Sequence, residues 1–281
     1  MRSFVFIPLL LISFHACGAC LGDQKAKDHP YSFYVLPQLA ISETYRSWTP
    51  ALERVGKKIE MCFDLYVPQG FTYFEEAVKA GKADFAFMNP YHMMMAKRSG
   101  GYLPVIAGGK DKISGIVVVK NDGTINKLEE LDGKKMAFPA PLALGATLLV
   151  RAYLAEKNIH VIPEYVKSHS NVYRSVLVGD VVAGGGANST LHREPAALQQ
   201  EFKILYETPK FISYPIAVNP RIPVKIRKSF AQGFIEIAKE PDMRDKLEAI
   251  AVSDPVEVEY SRDYQYIEKL RLDRFVEKTG G

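Results

Sequence analysis

The run Ala83-Asp84-Phe85-Ala86-Phe87-Met88-Asn89-Pro90-Tyr91-His92 holds the densest set of groups able to meet a ligand. Phe85 to Met88 is an apolar run of the kind buried in a sheet. Pro90 lacks an N–H and favours an extended residue before it, so the strand stops there. In open α/β sheets small ligands sit beyond the carboxyl ends of strands. Tyr91 and His92 therefore either face a crevice, as hydrogen-bonding groups for a solute, or cap a helix and face solvent. A second candidate is Ala143-Leu144-Gly145-Ala146-Thr147, where a loop enters a helix. Free main-chain N–H groups at such an entry hold an oxyanion without a formal counter-charge. Gly145 permits close approach, and Thr147 adds a hydroxyl. Ser168 and His169 stand ahead of another helix and either touch an anion or cap the turn, a role open to Ser170 as well. Gly184-Gly185-Gly186 either admits a ligand to the backbone or forms a loose exit from a strand. Gln38, just after the first strand, either lines the opposite wall of a cleft or is an ordinary loop residue.

Catalytic patterns do not occur. There is no G-x-S-x-G elbow, no H-E-x-x-H pair, and neither G-x-G-x-x-G nor G-K-[ST]. The histidines follow no metal-ligand spacing, and no cofactor is expected. A net charge of +4, with basic residues scattered among acidic ones, gives no nucleic-acid footprint.

The elements that position these groups follow a repeating order. Strands are expected at 32–36, 61–67 and 83–88, with helices at 44–57, 70–81 and 91–98 between and after them. That β-α-β-α-β order makes a mostly parallel sheet. Further strands are expected at 105–107, 115–119, 135–138, 181–183 and 202–206, with helices at 145–157 and 171–178. The chain then returns through 212–218 to helices at 224–239 and 241–251, ending in a polar tail. A lobe of residues 29–112 and 213–281 and a second of 113–212 are thus joined by two crossings, near 108–114 and 208–214. Double crossings make a hinge, and the cleft between lobes closes on a ligand.

Residues 1–20 read as an export signal: Arg2, the apolar stretch Phe4–Phe14, then the small residues Ala16-Cys17-Gly18-Ala19-Cys20. Cys20 is either a lipid-attachment residue or simply follows a cleavage point, with Gly22 to Asp28 as a polar tether. Cys62, between Met61 and Phe63, reads as a buried, inert thiol. The location is periplasmic or otherwise extracytoplasmic.

The order of Pro37, Asp84-Phe85-Ala86-Phe87 with Asn89-Pro90, Gly115-Ile116-Val117-Val118, Leu131-Asp132-Gly133-Lys134-Lys135-Met136-Ala137-Phe138, Gly145, Ser168-His169-Ser170, Gly179-Asp180-Val181 and Tyr214-Pro215 resembles the substrate-binding proteins of phosphate, phosphite and phosphonate ABC importers. The resemblance runs over roughly residues 31 to 255. It implies a type II periplasmic-binding fold, an anionic small-molecule ligand, delivery to an inner-membrane ABC permease, a monomer, and no catalysis. A ligand-binding sensory module partnering a membrane signalling protein is the alternative on the same fold. Three departures stand out, one being Met93 where relatives often place a tyrosine three residues after the proline of the first motif. The family's ligand loop carries serine and threonine, whereas Leu142, Ala143, Leu144 and Ala146 fill it here. Val182 stands where relatives often have an aspartate, which argues against an aminoalkyl ligand needing a buried counter-ion.

Overall fold

The computed structural model describes residues 20–276, so the segment expected to be an export signal, apart from Cys20, lies outside the described residues. A seven-stranded sheet is built from β1 (Leu21–Gly22), β2 (Tyr31–Val35), β3 (Cys62–Tyr66), β4 (Phe85–Phe87) and β5 (Leu103–Gly108), together with two strands from the chain's return. Lys112–Ile113 (β6) leads into the second lobe. There β7 (Gly115–Lys120), β8 (Lys135–Phe138), β9 (Ile162–Tyr165), β10 (Ala183–Ala187) and β11 (Phe202–Glu207) form a five-stranded sheet. The chain comes back through β12 (Phe211–Ile212), and β13 (Pro215–Val218) and β14 (Pro255–Glu257) complete the first sheet. The spatial orders are β1-β3-β2-β4-β13-β5-β14 and β11-β7-β10-β8-β9. β2 is parallel to β3 and β4, whereas β13 runs antiparallel between β4 and β5. The two crossings meet each other: β6 and β12 pair antiparallel, Phe211 opposite Ile113, as a small ribbon at the waist.

The helices follow from apolar spacing. Along α1 (Ile41–Lys58), Thr44, Trp48, Ala51, Leu52 and Val55 are buried in steps of three and four. α2 (Phe71–Lys79) buries Phe71, Phe74 and Val78. α3 (Pro90–Gly100) opens with Pro90 at its first position, is capped by the Asn89 side chain on the His92 amide, and ends at Gly101 in the left-handed region. Under the first sheet the rings of Phe33, Phe63, Phe85 and Phe230 pack together, Phe85 and Phe230 with centroids 4.4 Å apart. In the second lobe, α4 (Val150–Glu156) and α5 (His169–Val178) flank the sheet. A π-helical segment, Leu144–Leu149, precedes α4 where an ordinary helix start was expected.

Two expectations need correcting. The strand expected at 181–183 is β10, Ala183–Ala187, and the glycine triplet is its buried middle rather than a loose exit. Its missing side chains make room for the lobe's own packing. A Cβ on Gly184 would lie 2.5 Å from Val172 Cγ1, and one on Gly185 2.4 Å from the Phe138 ring.

The second correction concerns the cysteines. Cys62 is not a lone thiol: it forms a disulfide with Cys20, their Cα atoms 5.4 Å apart. The cause is local. β1 pairs antiparallel with β3, setting Gly22 opposite Cys62 and Leu21 opposite Phe63. A sulfur held in a disulfide has no valence left for a lipid thioether, so this bond and lipidation of Cys20 exclude one another. Nor is Gly22–Asp28 a free tether. Leu21 and Gly22 are buried, and Gly22 adopts φ +130° where a Cβ would strike the Met61 carbonyl. The Asp23 amide donates to that same carbonyl at 2.9 Å.

Candidate functional site

The lobes meet along two different kinds of surface. At the mouth of the expected anion loop the contact is dry. Leu142, Leu144, Leu148 and Leu149 pack on Tyr91 and Met94 of the first lobe and on Ile267 and Leu272 of the C-terminal segment. Ala140, Ala143 and Ala146 join the core of the first lobe. The Thr147 hydroxyl is fully buried and donates to the Ala140 carbonyl at 2.7 Å. Gly145 does not open toward a ligand. A Cβ there would meet Ile113 Cγ2 at 3.1 Å, and its own carbonyl lies against Gly115. A loop lined with serine and threonine would be wet and accept an anion; this one is closed by apolar burial. Asn89 adds a polar link across the seam, its amide donating to the Leu142 carbonyl at 3.0 Å.

Tyr91 and His92 go to separate places. Tyr91 belongs to that apolar seam, and burial raises its pKa. His92 turns into the first lobe between Phe71 and Phe74, its Nε2 2.9 Å from Glu75 Oε1 and its Nδ1 without a partner among the described residues. It ties α3 to α2.

A second, polar space lies between the lobes nearer the waist. This cavity of about 630 Å³ takes Gln38, Ser213 and Tyr214 from one lobe and Asn188, Ser189 and Arg193 from the other, with Lys112 and Asp111 at the crossing. Its size falls in the range of small-molecule sites. Gln38, just after β2, lies on the wall of this cavity. Tyr214 is buried, which pushes its phenol up to about 12; the hydrogen bond from Gln38 and the nearby charge of Arg193 work against that rise. Ser168 caps α5 by accepting from the Asn171 amide. His169 is buried behind the cavity, its Nδ1 3.2 Å from the Thr190 hydroxyl, which in turn lies 2.8 Å from the Tyr173 hydroxyl. Burial, aided by the positive charge of Arg193, brings His169 down to about 4, so it is neutral at physiological pH. Ser170 hydrogen-bonds Glu194 at 2.6 Å.

Of the residues singled out in the sequence, then, Gln38 reaches the polar cavity and His169 stands close behind it. Ala143, Leu144, Ala146, Thr147 and Tyr91 form the apolar seam, and Gly184 and Gly185 serve the interior of their own sheet. Arg193 was missed. The one available signal was position: it closes the short stretch Asn188–Arg193 that leaves the carboxyl end of β10, the end of a sheet where ligands collect. Among the described residues no group of three or more His, Cys, Asp or Glu is arranged to hold a metal ion, and no helix is long and apolar enough to cross a membrane.

A family model for the periplasmic substrate-binding protein of phosphonate ABC transporters matches residues 33–264. The chain belongs to that family. Its members are the substrate-binding components of transporters rather than enzymes, and they work outside the cytoplasm. Solved structures agree on the fold. A binding protein component of an ABC phosphonate transporter from Pseudomonas aeruginosa superposes with a TM-score of 0.77 at 13% identity, over 90% of each chain. PhnD1 from Prochlorococcus marinus in complex with methylphosphonate gives 0.74 at 11% identity, over 85% of this chain and 96% of that one. A protein from Xanthomonas citri bound to ATP gives 0.71 at 16% identity, over 88% and 99%. The likeness establishes the two-lobed type II fold with its double-crossing hinge. Within this family the present chain captures a solute for an ABC importer, and its 142–149 segment is packed in an apolar seam.

Proposed function

We propose that the chain binds a small oxyanion of the phosphonate class in the polar cavity between its lobes and presents it to an ABC permease as a monomer. The observation that carries this is the cavity itself: of about 630 Å³, walled by both lobes, and lined by hydroxyl, amide, ammonium and guanidinium groups together with the carboxylates of Asp111, Asp245 and Glu248. A solute seated there touches both lobes at once and so favours the closed over the open arrangement, which is the differential affinity a hinge needs in order to respond. The relatives supply the ligand class, methylphosphonate being bound by one of them. The disulfide supports a released rather than lipid-anchored mature protein, because it engages the Cys20 sulfur.

The test is a ligand screen on the purified mature chain with phosphate, methylphosphonate, phenylphosphonate, sulfate and acetate. A ligand at a hundred times its dissociation constant raises folding stability by about 2.7 kcal/mol. Trp48 lines a recess that also contains Gln38 and Arg193, so its fluorescence reports the same event independently. A stability gain with the phosphonates and none with acetate supports the reading. No response to any phosphoryl compound in both assays overturns it.

A further inference from the structure

We infer that Arg193 is the anion anchor of this protein, replacing the main-chain and hydroxyl grip that the 143–147 loop no longer offers; this rests on the reading of the cavity as an oxyanion site. Arg193 follows α6 (Asn188–Leu191), just beyond the carboxyl end of β10. It lines the 630 Å³ cavity together with Gln38, Asn188, Ser189 and Tyr214. It also lines the narrow recess formed by Leu36, Thr44 and Trp48 of the other lobe. A side chain that borders both spaces spans the cleft from one lobe to the opposite wall. Its charge is felt on both sides, by Tyr214 in the first lobe and His169 in the second.

Three properties make it an anchor rather than a structural cation. First, it has no hydrogen-bond or ion-pair partner among the described residues, whereas the guanidinium groups of Arg54, Arg221 and Arg262 are all paired with carboxylates. An arginine presents five donors in a planar fork, and without a protein partner that fork is available to an oxyanion entering the cleft. Second, it remains reachable by solvent through the cleft while protein groups crowd it on both sides, which lowers its pKa without removing its charge. A ligand can therefore reach it and accept charge-assisted hydrogen bonds from its fork. Third, Arg193 is the one guanidinium among the described residues that line the cavity, whose other formally charged groups are Lys112 and the carboxylates of Asp111, Asp245 and Glu248. Asp111 faces the same space, but its carboxylate already accepts from the Ser253 amide at 2.7 Å. Lys112, at the hinge ribbon, offers a point charge rather than a planar fork of donors.

The cavity's size adds to the ligand's description. A water molecule's share of liquid volume is about 30 Å³, so a bare tetrahedral oxyanion on Arg193 fills only a minor part of the space. The remainder suits an organic substituent, so the fitting ligand is an organophosphonate carrying a group larger than methyl.

Titrating wild type, Arg193→Gln, Arg193→Lys and Thr147→Val with methylphosphonate and phenylphosphonate, by calorimetry and by Trp48 fluorescence, tests this. The expected result is that wild type and Thr147→Val bind alike. Arg193→Gln binds about a hundredfold more weakly at an unchanged melting temperature, Arg193→Lys recovers part of the loss, and phenylphosphonate binds at least as tightly as methylphosphonate. If wild type binds and Arg193→Gln matches it, the anchor is elsewhere while the oxyanion reading stands. If wild type binds neither compound, the oxyanion reading falls and the anchor falls with it. A clear preference for methylphosphonate overturns the size argument alone.

Discussion

Breaking the Cys20–Cys62 bond is the perturbation whose size is best fixed in advance. The cysteines stand 42 residues apart. Closing a loop of that length in the unfolded chain removes about 13 cal/mol/K of entropy, or about 4 kcal/mol at room temperature. Reduction should leave the folded state nearly unchanged, because β1 keeps its pairing with β3 and the close approach of Gly22 to Gly56. The whole effect therefore falls on the unfolded ensemble. In a chain of this size each kcal/mol moves the melting midpoint by about 2–4 °C, so reduction should lower it by about 8–16 °C. The measurement is a thermal melt of the mature protein with and without a phosphine reductant, repeated on Cys20→Ser. The oxidised wild type should melt highest, and the other two should fall close together. Intact mass under non-reducing conditions should show two hydrogens fewer than the reduced chain and no acyl group. A titratable Cys62 thiol in the folded protein, or a lipidated Cys20, would refute the argument at its root.

Acid should act through His169. Its folded pKa of about 4 lies below the ordinary value of 6.5, so the unfolded chain binds the extra proton first. Stability from this group is complete above about pH 6.5 and is lost as pH falls toward 4, with about 2 kcal/mol gone by pH 5. Urea midpoints at pH 7 and pH 5 should show that loss in wild type and not in His169→Gln; equal slopes in both would refute it. Gly185→Ala should destabilise by about 1–3 kcal/mol or more, since the new methyl lies 2.2 Å from the Ala146 carbonyl and 2.4 Å from the Phe138 ring. Full stability with lost ligand affinity would instead make that glycine a ligand contact. Leu144→Ala removes a fully buried side chain from the seam between the lobes and should cost about 2–5 kcal/mol in a denaturant titration. A loss under 1 kcal/mol would mean that the seam is not packed as described.

Local chemistry determined much of this protein. Apolar periodicity located β2, α1, β3, α2, β4 and α3 to within a few residues, because each element buries one face, and Pro90 and Asn89 mark the strand-to-helix step by their own backbone preferences. The two crossings were legible too, since a lobe assembled from two stretches must be entered and left. Other features depended on which surfaces meet. Three glycines in a row read either as a backbone open to a ligand or as a loose exit from a strand; they lie within a strand, where Val172, Phe138 and Tyr173 fill the space their side chains would take. Cys20 and Cys62 carry no local sign of partnership, and only the pairing of a two-residue strand brings them together. The loop at 143–147 has the form of an anion site, yet whether its amides face solute or a neighbouring wall of leucines is settled by the other lobe and the tail. Arg193 is one cation among many in the sequence, and becomes distinctive only when folding sets it on the wall of the cavity between the lobes without an ion pair among the described residues. Burial and pairing are properties of contacts between distant segments, and a linear pattern holds the residues but not the contacts.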